Sequence, residues 1–223
     1  MREGRRLALT AWVLVPLGLV LLIGTVLYVR SAYTRVTVVS SSMSPTYTVG
    51  ERLVVELMDG HEVRRGDVVL VDQPGPNAGG PVLQRVVAVG GDRVACCEGS
   101  GTDERVTLDG RPLQESYVQD GVADGIGRPY DLTVPQGRLF LLGDHRVDSL
   151  DSRFYGPGDS AAAVSAWAVR GRVVDGLGGA VFAFSGAVLG LVLALVGLGC
   201  GIAARVVRRR RPVPPTPPMP VRA

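Results

Sequence analysis

Four serines stand within five positions in the segment SSSMSPT, residues 40–46, where Ser42 directly precedes Met43. A serine hydroxyl becomes a good nucleophile only when a neighbouring group takes its proton. A tetrahedral acyl intermediate also needs preorganised hydrogen-bond donors that face the developing negative charge. The segment holds enough hydroxyls for both tasks, and Pro45 stiffens the loop after Ser42. Serine-rich loops also exist without any chemical role, so spacing alone leaves both interpretations open.

The second chemical feature of the chain is the small number of side chains that could accept the proton of a serine. All 24 basic residues are arginine, and the sequence contains no lysine. Arginine stays protonated in proteins and therefore cannot accept the proton of a serine. Histidine is the side chain best suited to proton transfer near neutral pH, and the chain has two, His61 and His145. The position of His61 in MDGHEVRRGD is typical of a surface loop.

Two long apolar segments flank the middle of the chain. Residues 7–29 form a run of 23 residues without a formal charge, and residues 176–204 form a second run that is densest over 180–204. A helix of this length crosses a hydrocarbon core of about 30 Å. The first run is longer than the apolar region of a secretory signal and has no Ala-x-Ala site after it. We therefore predict two transmembrane helices, over 7–29 and 180–204.

The arginines predict the orientation of these helices. They cluster before the first helix and after the second, which places residues 1–6 and the Arg- and Pro-rich tail, 205–223, in the cytoplasm. Residues 31–175 then form an extracytoplasmic domain at the plasma membrane, although Arg30 and Arg35 weakly oppose this orientation. The net charge of +3 is too small and too dispersed for nucleic acid to be the main partner.

The middle segment is predicted to be mostly β. Short Val- and Leu-rich runs alternate with Gly, Pro and Asp, and no long helical periodicity is present. The predicted strands cover residues 52–57, 67–71, 82–89, 105–108 and 139–142. The fold class that follows is an antiparallel β domain between two transmembrane α-helices. Cys96 and Cys97 are interpreted as structural, because two cysteines and two histidines do not suggest a zinc site.

Four segments, in order, resemble the conserved boxes of the type I signal peptidases, the S26 family of Ser/Lys peptidases. They are SSSMSPTYTVGERLVVE, RRGDVVLVDQP, LQRVVAVGGDRV and LLGDHRVDSLDSRFYG. The resemblance covers about residues 36–175, and the layout with two anchors is similar to that of some actinobacterial members. It implies the family's β fold, no metal or organic cofactor, and two partners, which are the signal peptides of exported proteins and the lipid bilayer.

The resemblance also implies roles for individual residues. Ser42 falls at the nucleophile, and Ser40 together with the backbone N–H of Ser42 falls where the family binds the oxyanion. Ser149 falls at the serine that orients the general base. Met43 is expected on the substrate side of the nucleophile loop, and to dip into the outer leaflet. The residues implied to support the site are Asp144, Asp151 and Arg153, the last two as an ion pair.

The family's general base is missing. At the position where the resemblance places lysine, this chain has Gln84, whose carboxamide cannot store a proton. Arg85 stays charged and should point to the opposite face of its strand. His145 stands where the family usually has asparagine, so one hypothesis makes it a displaced base for Ser42. Against this, the asparagine position need not point at the nucleophile.

Two functions from different classes follow. In the first, the protein is a membrane-anchored serine endopeptidase that cleaves signal peptides with Ser42 and an unusual base. In the second, it is a catalytically impaired pseudopeptidase that binds signal peptides by strand addition or regulates an active paralogue. A third, weaker option is a non-peptidase membrane protein that reuses the β scaffold.

Overall fold

The computed structural model describes residues 2–73, 79–99, 103–155, 162–174 and 178–209. The chain divides into two compact units, a helical one formed by residues 1–29 and 177–223 and a β unit formed by residues 30–176. Most of the predicted tail, residues 210–223, lies outside the described residues.

The helical unit consists of α1 (Arg2–Ala32) and α2 (Gly178–Arg209). Both are long and apolar enough to cross a membrane, with mean hydropathies of 2.4 and 2.5 over their most apolar windows. The two helices approach most closely at small residues. A Cβ added to Gly18 would lie 2.5 Å from the carbonyl oxygen of Gly190, and one added to Gly197 would lie 2.9 Å from the backbone of Val15. Helices pack this closely only where side chains are absent or small.

The β unit contains antiparallel strands in two sheets. The larger sheet has the order β1-β2-β11-β3-β4-β9-β10 and the smaller has the order β7-β6-β5-β8. The strands are β1 (Tyr33–Thr37), β2 (Arg52–Leu57), β3 (Val68–Asp72), β4 (Pro81–Val89), β5 (Arg93–Glu98), β6 (Arg105–Leu108), β7 (Arg111–Pro112), β8 (Tyr130–Thr133), β9 (Arg138–Leu142), β10 (Val164–Ser165) and β11 (Val169–Val173). The prediction of a mostly antiparallel β domain, preceded and followed along the chain by an apolar helix, is confirmed.

Burial along the strands explains their positions. In β2, Leu53 and Val55 are buried while Arg52 and Val54 are exposed, which is the alternation of a strand with one face on the core. In β3, four consecutive apolar residues, Val68–Val71, are buried, because this strand lies inside the sheet and is covered on both faces. Cys96 and Cys97 form a disulfide within β5.

The chain after β9 forms a loop whose conformation depends on buried charges. Arg153 donates to Asp151 at 2.8 Å and to Asp124 at 2.8 Å, and its side chain is 1% exposed. Arg146 is equally buried and donates to Glu115 at 2.6 Å and to the Ala123 carbonyl at 2.7 Å. Buried carboxylates and guanidinium groups are tolerated only when they are paired and hydrogen-bonded.

We therefore expect Arg153→Met to destabilise the β unit strongly, because two buried carboxylates lose their shared cation. The free energy of unfolding of the full chain in detergent micelles should fall by roughly 3–5 kcal/mol, measured by urea unfolding. Arg170→Met is the matched control, since the ion pair of Arg170 with Asp72 is about half exposed and should contribute less than about 1 kcal/mol. Equal losses in the two variants would contradict this assignment.

Candidate active site

Ser42 lies in the loop between β1 and β2. Two backbone bonds close the base of this loop, from Val38 N to Glu51 O at 2.9 Å and from Gly50 N to Val38 O at 2.8 Å. Met43 and Tyr47 anchor the loop from inside, because both pack into the buried cluster around Val55 and Leu70. Met43 is 1% exposed, so the expectation that it dips into a lipid leaflet is wrong: the side chain belongs to the core.

The hydroxyls of Ser40 and Ser42 are hydrogen-bonded to each other, with 3.0 Å between the two Oγ atoms. Both hydroxyl-bearing residues line a groove of about 310 Å³. Its apolar wall includes Val36 and Val38 on one side and residues 81–83 of β4 on the other. Met43 also contributes to the lining, from the core side. The arrangement places a half-buried alcohol at the edge of a shallow apolar groove.

The amide of Gln84 is hydrogen-bonded to groups other than the Ser42 hydroxyl. Its residue is 2% exposed, and its Nε2 donates to the Leu150 carbonyl at 2.7 Å and to Tyr155 Oη at 2.9 Å. Its Oε1 is buried without a hydrogen-bond partner. Burial raises the pKa of Tyr155, so that phenol stays protonated and donates to the same Leu150 carbonyl at 2.9 Å. This cluster contains no group that accepts a proton near neutral pH.

The Ser149 side chain packs against Gly143, as does the Ser42 carbonyl oxygen. A Cβ placed on Gly143 would be 2.7 Å from the Ser42 carbonyl oxygen and even closer to the Ser149 side chain, so only glycine fits there. The next residue, Leu150, supplies the carbonyl that binds Gln84. The Ser149 hydroxyl is buried and has no hydrogen-bond partner.

Asp144 and Arg85 form a buried, two-point ion pair. Arg85 Nε donates to Asp144 Oδ1 at 2.8 Å, and its Nη2 donates to Oδ2 at 2.6 Å. Thr46 donates its hydroxyl to the same Asp144 carboxylate, so the pair also holds the nucleophile loop. Burial is the largest influence on the pKa of Arg85 and lowers it, but the hydrogen bonds with Asp144 and the attraction of its charge, with smaller effects of nearby tyrosines, together outweigh burial and raise the pKa. Tyr117 covers the guanidinium group, with 4.0 Å from the Arg85 Cζ to the ring centre.

Asp151 and Arg153 form the ion pair that the sequence resemblance implied. The second carboxylate oxygen of Asp151 accepts from the Gly143 backbone N–H at 3.1 Å. Ser152, the residue between them, accepts from the Leu141 N–H at 2.9 Å. These contacts fix the loop after β9 against the end of that strand, which positions Gly143 and Asp144.

The backbone of His145 lies beside Ser42. Its N–H donates to the Ser42 carbonyl oxygen at 3.0 Å. Its imidazole Nδ1 is buried without a hydrogen-bond partner and lies 4.0 Å from Asp148 Oδ2. Ser41 donates its hydroxyl to that same carboxylate oxygen.

Sequence reasoning missed Thr46, Tyr155 and Asp148. Thr46 was visible as the residue after Pro45 in the first box. Neither Tyr155 nor Asp148 carried a signal in the sequence. Tyr155 bonds to Gln84, 71 positions away, and Asp148 bonds to Ser41, 107 positions away.

The comparisons with known proteins agree on one family. The model for signal peptidase, peptidase S26, matches residues 9–174. Signal peptidase I of Leptolyngbya laminosa is 34% identical over 125 residues, which is 52% of this chain and 58% of that relative. Signal peptidase I of Bacillus licheniformis is 30% identical over 122 residues, covering 51% and 62% of the two chains.

The matched region is thus little more than half the length of these curated relatives. A crystal structure of a signal peptidase I from Enterococcus faecalis is 25% identical and covers 51% of this chain and 97% of its own, with a TM-score of 0.37.

The match to the family model begins inside α1 and ends after β11, and so includes the nucleophile loop, β4 and the loop after β9. On this match the chain belongs to the signal peptidase family, peptidase S26.

Proposed function

We propose that the protein is a membrane-anchored serine endopeptidase of signal peptidase I type, which cleaves signal peptides from exported proteins. The observation that carries the proposal is the Ser42 hydroxyl, held by Ser40 at 3.0 Å on the edge of an apolar groove. Two apolar helices support the anchoring. The arginine clusters support cytoplasmic termini and an extracytoplasmic β unit, which is the actinobacterial-like layout. Protease protection in spheroplasts tests this topology.

The groove suits an extended peptide with small side chains near the scissile bond. Its walls come from β1, which is an edge strand of the larger sheet, and from the start of β4. An edge strand offers unpaired backbone groups to which an extended segment can add. The apolar lining favours the small apolar residues that the family accepts at the −3 and −1 positions.

The chemistry proceeds through an acyl-enzyme. The Ser42 Oγ attacks the scissile carbonyl carbon while a base takes the hydroxyl proton, and the new oxyanion is bound by the Ser40 hydroxyl and the Ser42 N–H. The C–N bond then breaks, and the protonated base returns its proton to the leaving amine. A water molecule, deprotonated by the same base, hydrolyses the ester and restores the Ser42 hydroxyl.

We assign the base to His145 and the family's lysine position to Gln84. The carboxamide of Gln84 cannot accept a proton, and Arg85 is committed to Asp144. His145 is adjacent to the Ser42 backbone, and its Nδ1 has no hydrogen-bond partner. Among the described residues the Ser42 hydroxyl bonds only to Ser40, so a bond between this hydroxyl and the imidazole forms only when substrate binds. Catalytic hydrogen bonds often form only in the substrate complex.

The second candidate function is the pseudopeptidase that binds signal peptides without efficient hydrolysis. One observation favours it: both donors of the Gln84 amide are occupied by Leu150 and Tyr155, in a buried cluster that has no proton acceptor. Ser149 and Asp151 then keep only structural roles.

Replacing the nucleophile tests the peptidase directly. We expect Ser42→Ala to lower kcat for a peptide with alanine at −3 and −1 by at least about a thousandfold, because no covalent intermediate can form. The assay uses the full chain in detergent micelles, with Ser44→Ala from the same loop as the control. Cleavage that persists in Ser42→Ala would show that another residue or a contaminant is responsible.

A second experiment distinguishes the two candidate functions through the base. We expect His145→Gln to lower kcat by roughly 10²- to 10⁴-fold, and Gln84→Lys to restore activity in that background. A lysine Nζ can keep the donor bonds to Leu150 and Tyr155, and burial lowers its pKa enough for it to act as a base.

Gln84→Met is the matched control, because it has similar length and no basic atom. If the natural sequence is inactive and Gln84→Lys alone cleaves the peptide, the pseudopeptidase is correct. If His145→Gln retains full activity, the base lies elsewhere.

A further inference from the structure

We infer that Asp148 is a positioning residue for His145: its carboxylate holds the imidazole in the tautomer and orientation that a base for Ser42 needs. The inference rests on the proposed peptidase function and extends it to a residue of the last box to which the resemblance assigns no role. The observation behind it is the juxtaposition of the His145 imidazole and the Asp148 carboxylate on one short turn with the Ser41 hydroxyl of the loop that carries Ser42.

The backbone places Asp148 and His145 on the same side of this turn. Residues Arg146–Asp148 form a single 3-10 turn, and the Asp148 N–H donates to the His145 carbonyl at 2.9 Å. A turn of this type aligns side chains three positions apart. The result is a distance of 4.0 Å between His145 Nδ1 and Asp148 Oδ2.

The carboxylate is fixed from the nucleophile loop. The Ser41 hydroxyl donates to Asp148 Oδ2, and Ser41 directly precedes Ser42. The His145 N–H donates to the Ser42 carbonyl at 3.0 Å. The turn and the nucleophile loop are therefore joined at two points, one through the Asp148 side chain and one through the His145 backbone.

The imidazole of His145 has a buried nitrogen that needs a hydrogen-bond partner. Its Nδ1 is buried and makes no hydrogen bond, and a buried polar atom without a partner is unfavourable. The acceptor that faces it is the Asp148 carboxylate, which is already oriented by Ser41. A movement of about 1 Å closes the distance to a normal N–H···O bond.

The chemical consequence concerns the second ring nitrogen. When Nδ1 carries the proton and donates it to Asp148, the lone pair is left on Nε2, which takes the proton of Ser42. The imidazolium that forms keeps both protons until Nε2 gives one to the leaving amine. Asp148 stays ionised throughout and stabilises the positive ring, so no proton moves to the carboxylate.

The first experiment is kinetic. We expect Asp148→Asn to lower kcat by about tenfold or more with little change in KM, because the base loses its orientation while the groove stays intact. Asp148→Glu, which keeps the charge, should recover part of the loss. Asp103→Asn removes a different exposed carboxylate, between β5 and β6, and should leave kcat unchanged.

The second experiment reads the tautomer in the resting protein. The chain has two histidines, so His61→Gln leaves His145 as the single imidazole; His61 packs edge-on against Trp167. The ¹⁵N shifts of its ring nitrogens, measured where the ring is neutral, should show the Nδ1–H tautomer. Asp148→Asn should shift the population toward Nε2–H.

The two readouts separate the inference from the function on which it rests. If the tautomer depends on Asp148 while the protein cleaves no peptide, the proposed function fails and the positioning holds. If the protein cleaves peptide but kcat and the tautomer are both unchanged in Asp148→Asn, the inference is overturned.

Discussion

The buried ion pair between Arg85 and Asp144 is the contact on which the candidate site depends. It connects the middle of β4 to the loop after β9, and through Thr46 it also holds the loop that carries Ser42. Three segments far apart in sequence thus meet at one carboxylate. Removing either charge would leave the other buried and unpaired, which is far more unfavourable than losing a surface pair. The conformation of the loop that carries Ser42 therefore depends on an ion pair whose residues do not line the groove.

Neighbouring residues of β4 have separate tasks because a strand directs them to opposite faces. Arg85 faces Asp144 and maintains the arrangement, whereas Gln84 faces Leu150 and Tyr155, where the resemblance places the base. A change of lysine to glutamine at position 84 can thus remove proton transfer while the supporting ion pairs persist. The ion pairs of Asp144, Asp151 and Arg153 stabilise the loops around Ser42, and they are equally compatible with an active peptidase and with a binding protein.

Much of the fold could be predicted from local sequence. The predicted strands 52–57 and 105–108 match β2 and β6 at both ends, because short runs with Val and Leu favour strands and the turn residues around them mark where the strands end. The ion pair of Asp151 with Arg153 also followed from a short motif. The burial of Met43 could not be predicted, since it depends on how the loop folds onto Val55 and Leu70. The partners of Asp148 and Tyr155 depend on long-range contacts that leave no periodic signal in the sequence.

A base at position 84 and a base at position 145 would differ in how far they are buried. A lysine at position 84 would be nearly fully buried, so desolvation would favour its neutral, basic form. A carboxamide there has no charge to desolvate, and its two donors are satisfied, although its Oε1 is not. The side chain of His145 is instead 30% exposed, and the side chain of Asp148, which faces it, is 60% exposed. Water screens such a pair, so its orientation depends on the additional bond from Ser41. The proposed base at His145 would thus exchange control by burial for control by hydrogen bonding, and it would be coupled to the loop that carries Ser42.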